Sequence, residues 1–261
     1  MNVSALTAPE RTALKDLLFS MADDALIIGH RNSEWVGIGP VLEEDIAFAS
    51  IAQDKLGHAL ALYTILHEHF AEPDPDTLAF MRTERLFRCC HFVEIPTQEY
   101  DFALMRHVLF DTAEALRFAM LAESAFEPLA QLARKARGEI QYHTMHANIW
   151  LKQLGTATEE SRARMQSALN ECFPLALGMF ESPSSENEQA LCAANIFQGE
   201  SELHRRWLHA VRTLVEQSGL VLYEEGITPA YGGRKGYHTE HLAPLLDEMS
   251  EVFKTDPMAE W

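Results

Sequence analysis

Gln53-Asp54-Lys55-Leu56-Gly57-His58-Ala59-Leu60-Ala61-Leu62-Tyr63 and Gly138-Glu139-Ile140-Gln141-Tyr142-His143 are the two stretches on which the fold turns. Each lies inside a long run of residues with helical periodicity. Around the first, Ile46, Ala49, Leu56, Leu60, Tyr63 and Leu66 form an apolar stripe and predict a helix from Leu42 to Phe70. Around the second, the pattern predicts a helix from Pro128 to Leu154, with Gly155 as its stop. Each helix carries a mid-helix histidine with an acid four positions earlier, Asp54 before His58 and Glu139 before His143.

Each of these helices follows another long one. A helix over Pro9 to His30, capped by Thr7, carries Leu14, Leu17, Leu18, Met21, Ala25 and Ile28 at helical spacing. A third spans Glu99 to Phe126. Asp111 precedes His143 by 32 residues, and Asp23 and Asp24 precede His58 by 35 and 34, so the two helix pairs read as a weak internal repeat. Further helices are expected over Thr77–Arg82, Glu159–Phe180 with a kink at Pro174, Glu188–Ser218, and Thr239–Phe253. The expected fold is therefore all-α. It is a single domain over 1–261, built as a long-helix bundle of the ferritin-like kind with additional C-terminal helices.

Bundles of that kind often hold two irons. Two helices each give one carboxylate, and two give Glu-x-x-His, which sets a carboxylate and an imidazole side by side on one helix face. Here the pattern is broken. Lys55 stands three residues before His58, and Ile140 three before His143. A protonated lysine cannot bind iron, and isoleucine has no lone pair. Two readings stay open for Lys55. Either it occupies the space of the metals and pairs with Asp111 or Glu139, or it points to solvent and both histidines are ordinary core residues.

Composition narrows the function. The 261 residues hold 21 basic and 39 acidic side chains, a net charge of −18. This disfavours nucleic acid and anionic membrane lipid as partners. No apolar run reaches the length needed to cross a bilayer, and no secretion signal is evident, so a cytoplasmic protein is expected. Cys89, Cys90, Cys172 and Cys192 have no zinc-type spacing and are expected to be reduced, buried thiols.

Three stretches carry a family resemblance. They are Arg31-Asn32-Ser33-Glu34-Trp35-Val36-Gly37 followed by Leu42-Glu43-Glu44-Asp45-Ile46-Ala47; Asp76-Thr77-Leu78-Ala79-Phe80 with Arg82 and Glu84-Arg85; and Gly232-Gly233-Arg234-Lys235-Gly236-Tyr237-His238-Thr239-Glu240-His241-Leu242. Over nearly the whole chain the sequence resembles the PaaC-type subunits of the multicomponent ring 1,2-phenylacetyl-CoA epoxidase of aerobic phenylacetate catabolism. The resemblance implies a ferritin-like subunit with no di-iron centre of its own. It further implies a PaaA-type catalytic partner that holds the irons, and a flavin and iron–sulfur reductase fed by NADPH. A homodimer is expected when the chain is isolated. By the same resemblance three carboxylate positions of the catalytic type fall at Lys55, Ile140 and Ala25, and Asp111 matches a retained acid. The leader, Met1 to Arg11, has no counterpart and is expected to be mobile.

The Gly-rich segment also admits two readings. Arg234, Lys235 and His238 could meet an acidic partner or a phosphate of coenzyme A, or the segment could be a solvated turn with Thr239 capping the next helix. Trp35, Trp150, Trp207 and Trp261 are expected to be packing or interface anchors. Three functions compete. The first is a non-catalytic structural subunit with Lys55, His58, Asp111, Glu139, His143 and Asp54 as a vestigial site. The second is an active di-iron oxygenase using those acids and histidines. The third is a helical binding module for an aromatic acyl-CoA.

Overall fold

The computed structural model describes residues 3–257 and 259. Helix α1 (Ala8–Ser33) starts at a reciprocal cap: Glu10 N–H donates to the Thr7 hydroxyl, and Thr7 N–H donates to the Glu10 carboxylate. It is buried along most of its length, which explains why its apolar residues do not fall on one stripe. After a short loop, α2 (Leu42–Phe70) runs back along α1 and ends where Ala71 takes a left-handed conformation. The second pair is α5 (Tyr100–Leu121) and α6 (Glu127–Ala157), and α2 packs across to α6. Between the pairs lie two short helices, α3 (Pro75–Phe80) and α4 (His91–Glu94).

The remaining helices buttress this core. Helix α7 (Glu159–Leu177), which continues through Pro174, lies on α5 and α6; α8 (Ser185–Ala193) lies on α1; α9 (Glu200–Gln217) lies on α5; and α10 (Leu242–Ser250) closes the chain near α3. Trp207 is fully buried, stacks on Phe173, and donates its indole N–H to the Leu109 carbonyl at 2.9 Å, fastening α9 to α5. The fold is all-α, a ferritin-like bundle with no strand among the described residues. Among the described residues no helix is long and apolar enough to cross a membrane.

Several expectations need correction. The helix foreseen over Glu188–Ser218 is two helices. Asn195 (φ 53°) and Gly199 (φ 96°) break it, and the Asn195 carbonyl accepts the Ala125 N–H at 2.9 Å. Gly155 is not a stop, because α6 runs on to Ala157. A Cβ at 155 would lie 2.2 Å from the Ser218 carbonyl, so glycine is required by the crossing of α9. Ile46 and Leu60 lie outside the core stripe and are more than half exposed. Cys192 is exposed, whereas the other three cysteines are buried; all four are free. From Val3 on the leader is held, with Val3 and Leu6 buried in the core. Trp261 lies outside the described residues.

Candidate functional site: a buried lysine in a ring of ligand-type side chains

At the centre of the four long helices Lys55 points inward and is completely buried. Its ammonium donates to Asp111 Oδ1 at 2.7 Å and, more closely still, to Glu114 Oε2, both on α5. It also lies 5.0 Å from the centre of the Phe110 ring. Burial alone would push the Lys55 ammonium down, but Asp111 and Glu114 outweigh it and hold the group above its ordinary value. Burial likewise opposes the Asp111 carboxylate, yet Lys55 and His107 hold it well below the usual carboxylate range.

The two histidines form an outer layer. His58 Nε2 meets Glu139 Oε2 at 2.8 Å, and His143 Nε2 meets Asp54 Oδ2 at 2.9 Å. The pairs are reciprocal: each of α2 and α6 gives a histidine to the other's acid. This is the consequence of an acid placed four residues before each histidine, which sets both on one helix face. Glu139 and Asp54 reach the surface, at 47% and 28% side-chain exposure, while both imidazoles are buried. Of the sequence-derived residues, Lys55 and Asp111 therefore share the inner layer, and Asp54, His58, Glu139 and His143 form the outer one. Lys55 does not pair with Glu139.

The Nδ1 atoms of both histidines are buried without a hydrogen-bond partner. His58 Nδ1 lies 4.0 Å from Glu114 Oε1, and His143 supplies a ligand atom within 4.8 Å of those of Asp111 and Glu114. Burial and the Lys55 ammonium push His143 down to about 3, so its Nδ1 presents a bare lone pair at neutral pH. The arrangement is a metal-ligand ring closed around an ammonium.

Sequence reasoning missed Glu114, His107 and Asn32. Glu114 follows Asp111 by three residues and shares its helix face, a signal that was available. His107 Nδ1 meets Asp111 Oδ2 at 2.8 Å, and its Nε2 lies 3.1 Å from the side-chain amide of Asn32. Burial lowers His107, so the ring is neutral and Nε2 accepts. Asn32 Oδ1 is the atom that faces Nε2, and Nδ2 has no partner; turning the amide over puts Nδ2 there as the donor to the Nε2 lone pair.

This donor set does not fit two irons. The α2 position three before His58 is filled by a cation, the α6 position three before His143 is the buried Ile140, and Ala25 on α1 offers no oxygen. Ala25 instead borders a cavity of about 30 Å³, with Met21, His58, Leu62, Phe110 and Glu114. That is room for about one water, and Asp24, His58, Glu114 and Arg117 are the polar side chains that line it.

Within the Gly-rich segment Arg234 turns inward, whereas Lys235 and Tyr237 are exposed. Arg234 is 3% exposed, and its guanidinium binds both oxygens of Asp24 at 2.8 and 2.6 Å. It also donates to the carbonyls of Ser20, Arg88 and Met179. Asp23, the neighbour of Asp24, accepts from Arg82, Tyr63 and the Arg88 N–H. The adjacent acids of α1 thus anchor the 82–90 segment and the C-terminal arm. Lys235 is half exposed near Glu181. Thr239 does not cap α10, whose first flanking residue is His241; it donates through N–H and hydroxyl to Glu94.

With this geometry established, likeness to known proteins decides the family. The model for "Phenylacetic acid catabolic protein" matches residues 2–261. The chain belongs to that family. Among its relatives is the C-type subunit of the 1,2-phenylacetyl-CoA epoxidase of Escherichia coli (strain K12), 34% identical over 243 residues, covering 92% of this chain and 96% of that protein. Within the phenylacetic acid catabolic family, the buried ring and the arm motif of this chain therefore belong to one continuous match rather than to a shared fragment.

Proposed function

We propose that this chain is the non-catalytic, structural subunit of a phenylacetyl-CoA epoxidase complex in aerobic phenylacetate catabolism. It braces a PaaA-type subunit that holds the di-iron centre, in the cytoplasm, with electrons arriving from NADPH through a flavin and iron–sulfur reductase. The chain itself holds neither iron nor a redox cofactor. The likeness to the epoxidase subunit of Escherichia coli supports membership of such a complex. The observation that carries the non-catalytic role is the Lys55 ammonium, bound by Asp111 and Glu114 at the centre of the bundle. A tethered cation there competes directly with metal for both carboxylates.

The surface agrees with a partner. Leu42 and Ile46 on α2, and Met145 and Ile149 on α6, are each more than half exposed. They flank in sequence Glu44 and His146, which meet at 3.1 Å where α2 crosses α6. Apolar side chains presented together in this way suit a protein interface.

The test is co-purification with the catalytic subunit, then turnover of phenylacetyl-CoA with and without this chain. Turnover that depends on this chain, together with an iron-free chain, supports the proposal. Two irons per isolated chain, with oxygen consumption, would establish instead an oxygenase built on Asp54, His58, Asp111, Glu139 and His143.

A further inference from the structure

A second cluster of ligand-type side chains lies outside the Lys55 ring. Cys89 precedes α4, Glu94 ends it, and His238 comes from the C-terminal arm. Cys89 and Glu94 are completely buried, and the His238 side chain is 3% exposed. His238 Nδ1 lies 2.7 Å from Glu94 Oε1, and Cys89 Sγ lies 3.6 Å from that oxygen and 3.9 Å from that nitrogen.

The imidazole is held from behind. His238 Nε2 lies 3.1 Å from the Phe87 carbonyl, which can only accept, so Nε2 carries a proton. A neutral ring then turns the lone pair of Nδ1 toward a carboxylate oxygen. Glu94 cannot relieve the conflict easily, because its other oxygen accepts both the N–H (2.8 Å) and the hydroxyl (2.7 Å) of Thr239. Two acceptors this close need a cation between them. Among the described residues, the ion pairs of the Glu94 carboxylate are with His238 alone, so no lysine or arginine serves here as Lys55 does in the bundle. The cation is either a proton on Nδ1 or a metal ion.

We propose that Cys89, Glu94 and His238 bind a thiophilic divalent cation, with zinc the best match. A tetrahedral zinc sets sulfur about 3.5 Å from its nitrogen and oxygen ligands, and those two about 3.3 Å apart. The sulfur–oxygen edge is already near that value, the sulfur–nitrogen edge needs to close by about 0.4 Å, and the nitrogen–oxygen edge needs to open by about 0.6 Å. A thiolate and a carboxylate balance a divalent charge. The carbonyl behind the imidazole, and the threonine behind the carboxylate, are the outer supports that metal ligands use. Binding releases the thiol proton and the Nδ1 proton. His238 and Thr239 also line a surface cavity of about 350 Å³, so one wall of the cluster borders solvent-accessible space. The ion clamps the C-terminal arm to α4.

The test is titration of the full chain, stripped with a chelator, first with cobalt(II) and then with zinc. One equivalent of cobalt is expected to give a thiolate-to-metal charge-transfer band, which zinc abolishes. Cys89→Ser and His238→Gln are expected to weaken cobalt binding by at least about tenfold, while Cys90→Ser keeps the band. Zinc is expected to raise the melting temperature of the wild type and not that of Cys89→Ser. Absence of the band in the wild type, which needs no variant to fold, overturns the site and leaves a proton-held pair. A band that survives Cys89→Ser also overturns it.

Discussion

Lys55 Nζ and Asp111 Oδ1 face each other at 2.7 Å with both side chains fully buried, one on α2 and the other on α5. Neither charge is tolerable alone at this depth. Replacing Lys55 by methionine keeps the volume and strands two carboxylates, Asp111 and Glu114. Lys55→Met is expected to lose about 3–5 kcal/mol of unfolding free energy in urea. The triple variant Lys55→Met, Asp111→Asn, Glu114→Gln is expected to recover most of it. A loss by the single variant below about 1 kcal/mol, the scale of an exposed pair, would contradict the buried pairing.

His143 sets an acid limit. The folded protein keeps it neutral to about 3, while the unfolded chain protonates it near 6.5. Between those values the unfolded state binds more protons, so stability falls as pH falls through that window; above it the contribution is complete. The slope from this residue is up to about 1.4 kcal/mol per pH unit. His107, also lowered by burial, acts in the same direction. Unfolding free energies measured at pH 7 and pH 5 should diverge less in His143→Gln than in the wild type. Equal slopes would show that His143 takes up protons in the fold as it does in the unfolded chain.

Arg234 and Lys235 are neighbours with different tasks. Arg234→Met should cost about 3–5 kcal/mol, because Asp24 is left buried without its partner, and should expose the 223–241 segment to proteolysis. Lys235→Ala should stay within about 0.5 kcal/mol. If Arg234→Met left stability intact and weakened only binding to a partner or an anion, the anchoring role would fail.

Glycines in the long helices separate by what surrounds them. An added Cβ meets nothing within 4 Å at Gly57 or Gly138. Changing either to alanine should stabilise the helix by roughly 0.5–1 kcal/mol. Gly155→Ala should do the opposite, costing about 3 kcal/mol, since Ser218 must shift. Thermal melting of the three variants tests the ordering.

The long helices were legible because apolar residues recur at helical spacing along each of them; the helix expected over Leu42–Phe70 has those bounds in the structure. The break at Asn195 was not, since it depends on a tertiary bond to Ala125 and on a left-handed backbone that asparagine merely permits. In the site, the absence of a Glu three residues before each histidine, at Lys55 and Ile140, was visible from register alone. The direction of the lysine was not, because an amphipathic residue on a helix can lie inward or reach to solvent. Arg234 misled for a related reason: a glycine-flanked arginine looks solvated until the chain brings Asp24, 210 positions earlier, against it.

The cation of Lys55 is encoded in the polypeptide and arrives with translation. A bundle closed around iron can complete its core only when the metal has been delivered in the right redox state and number. This chain needs no such delivery to neutralise Asp111 and Glu114. At that point the core is closed by the chain's own ammonium, whatever the supply of iron.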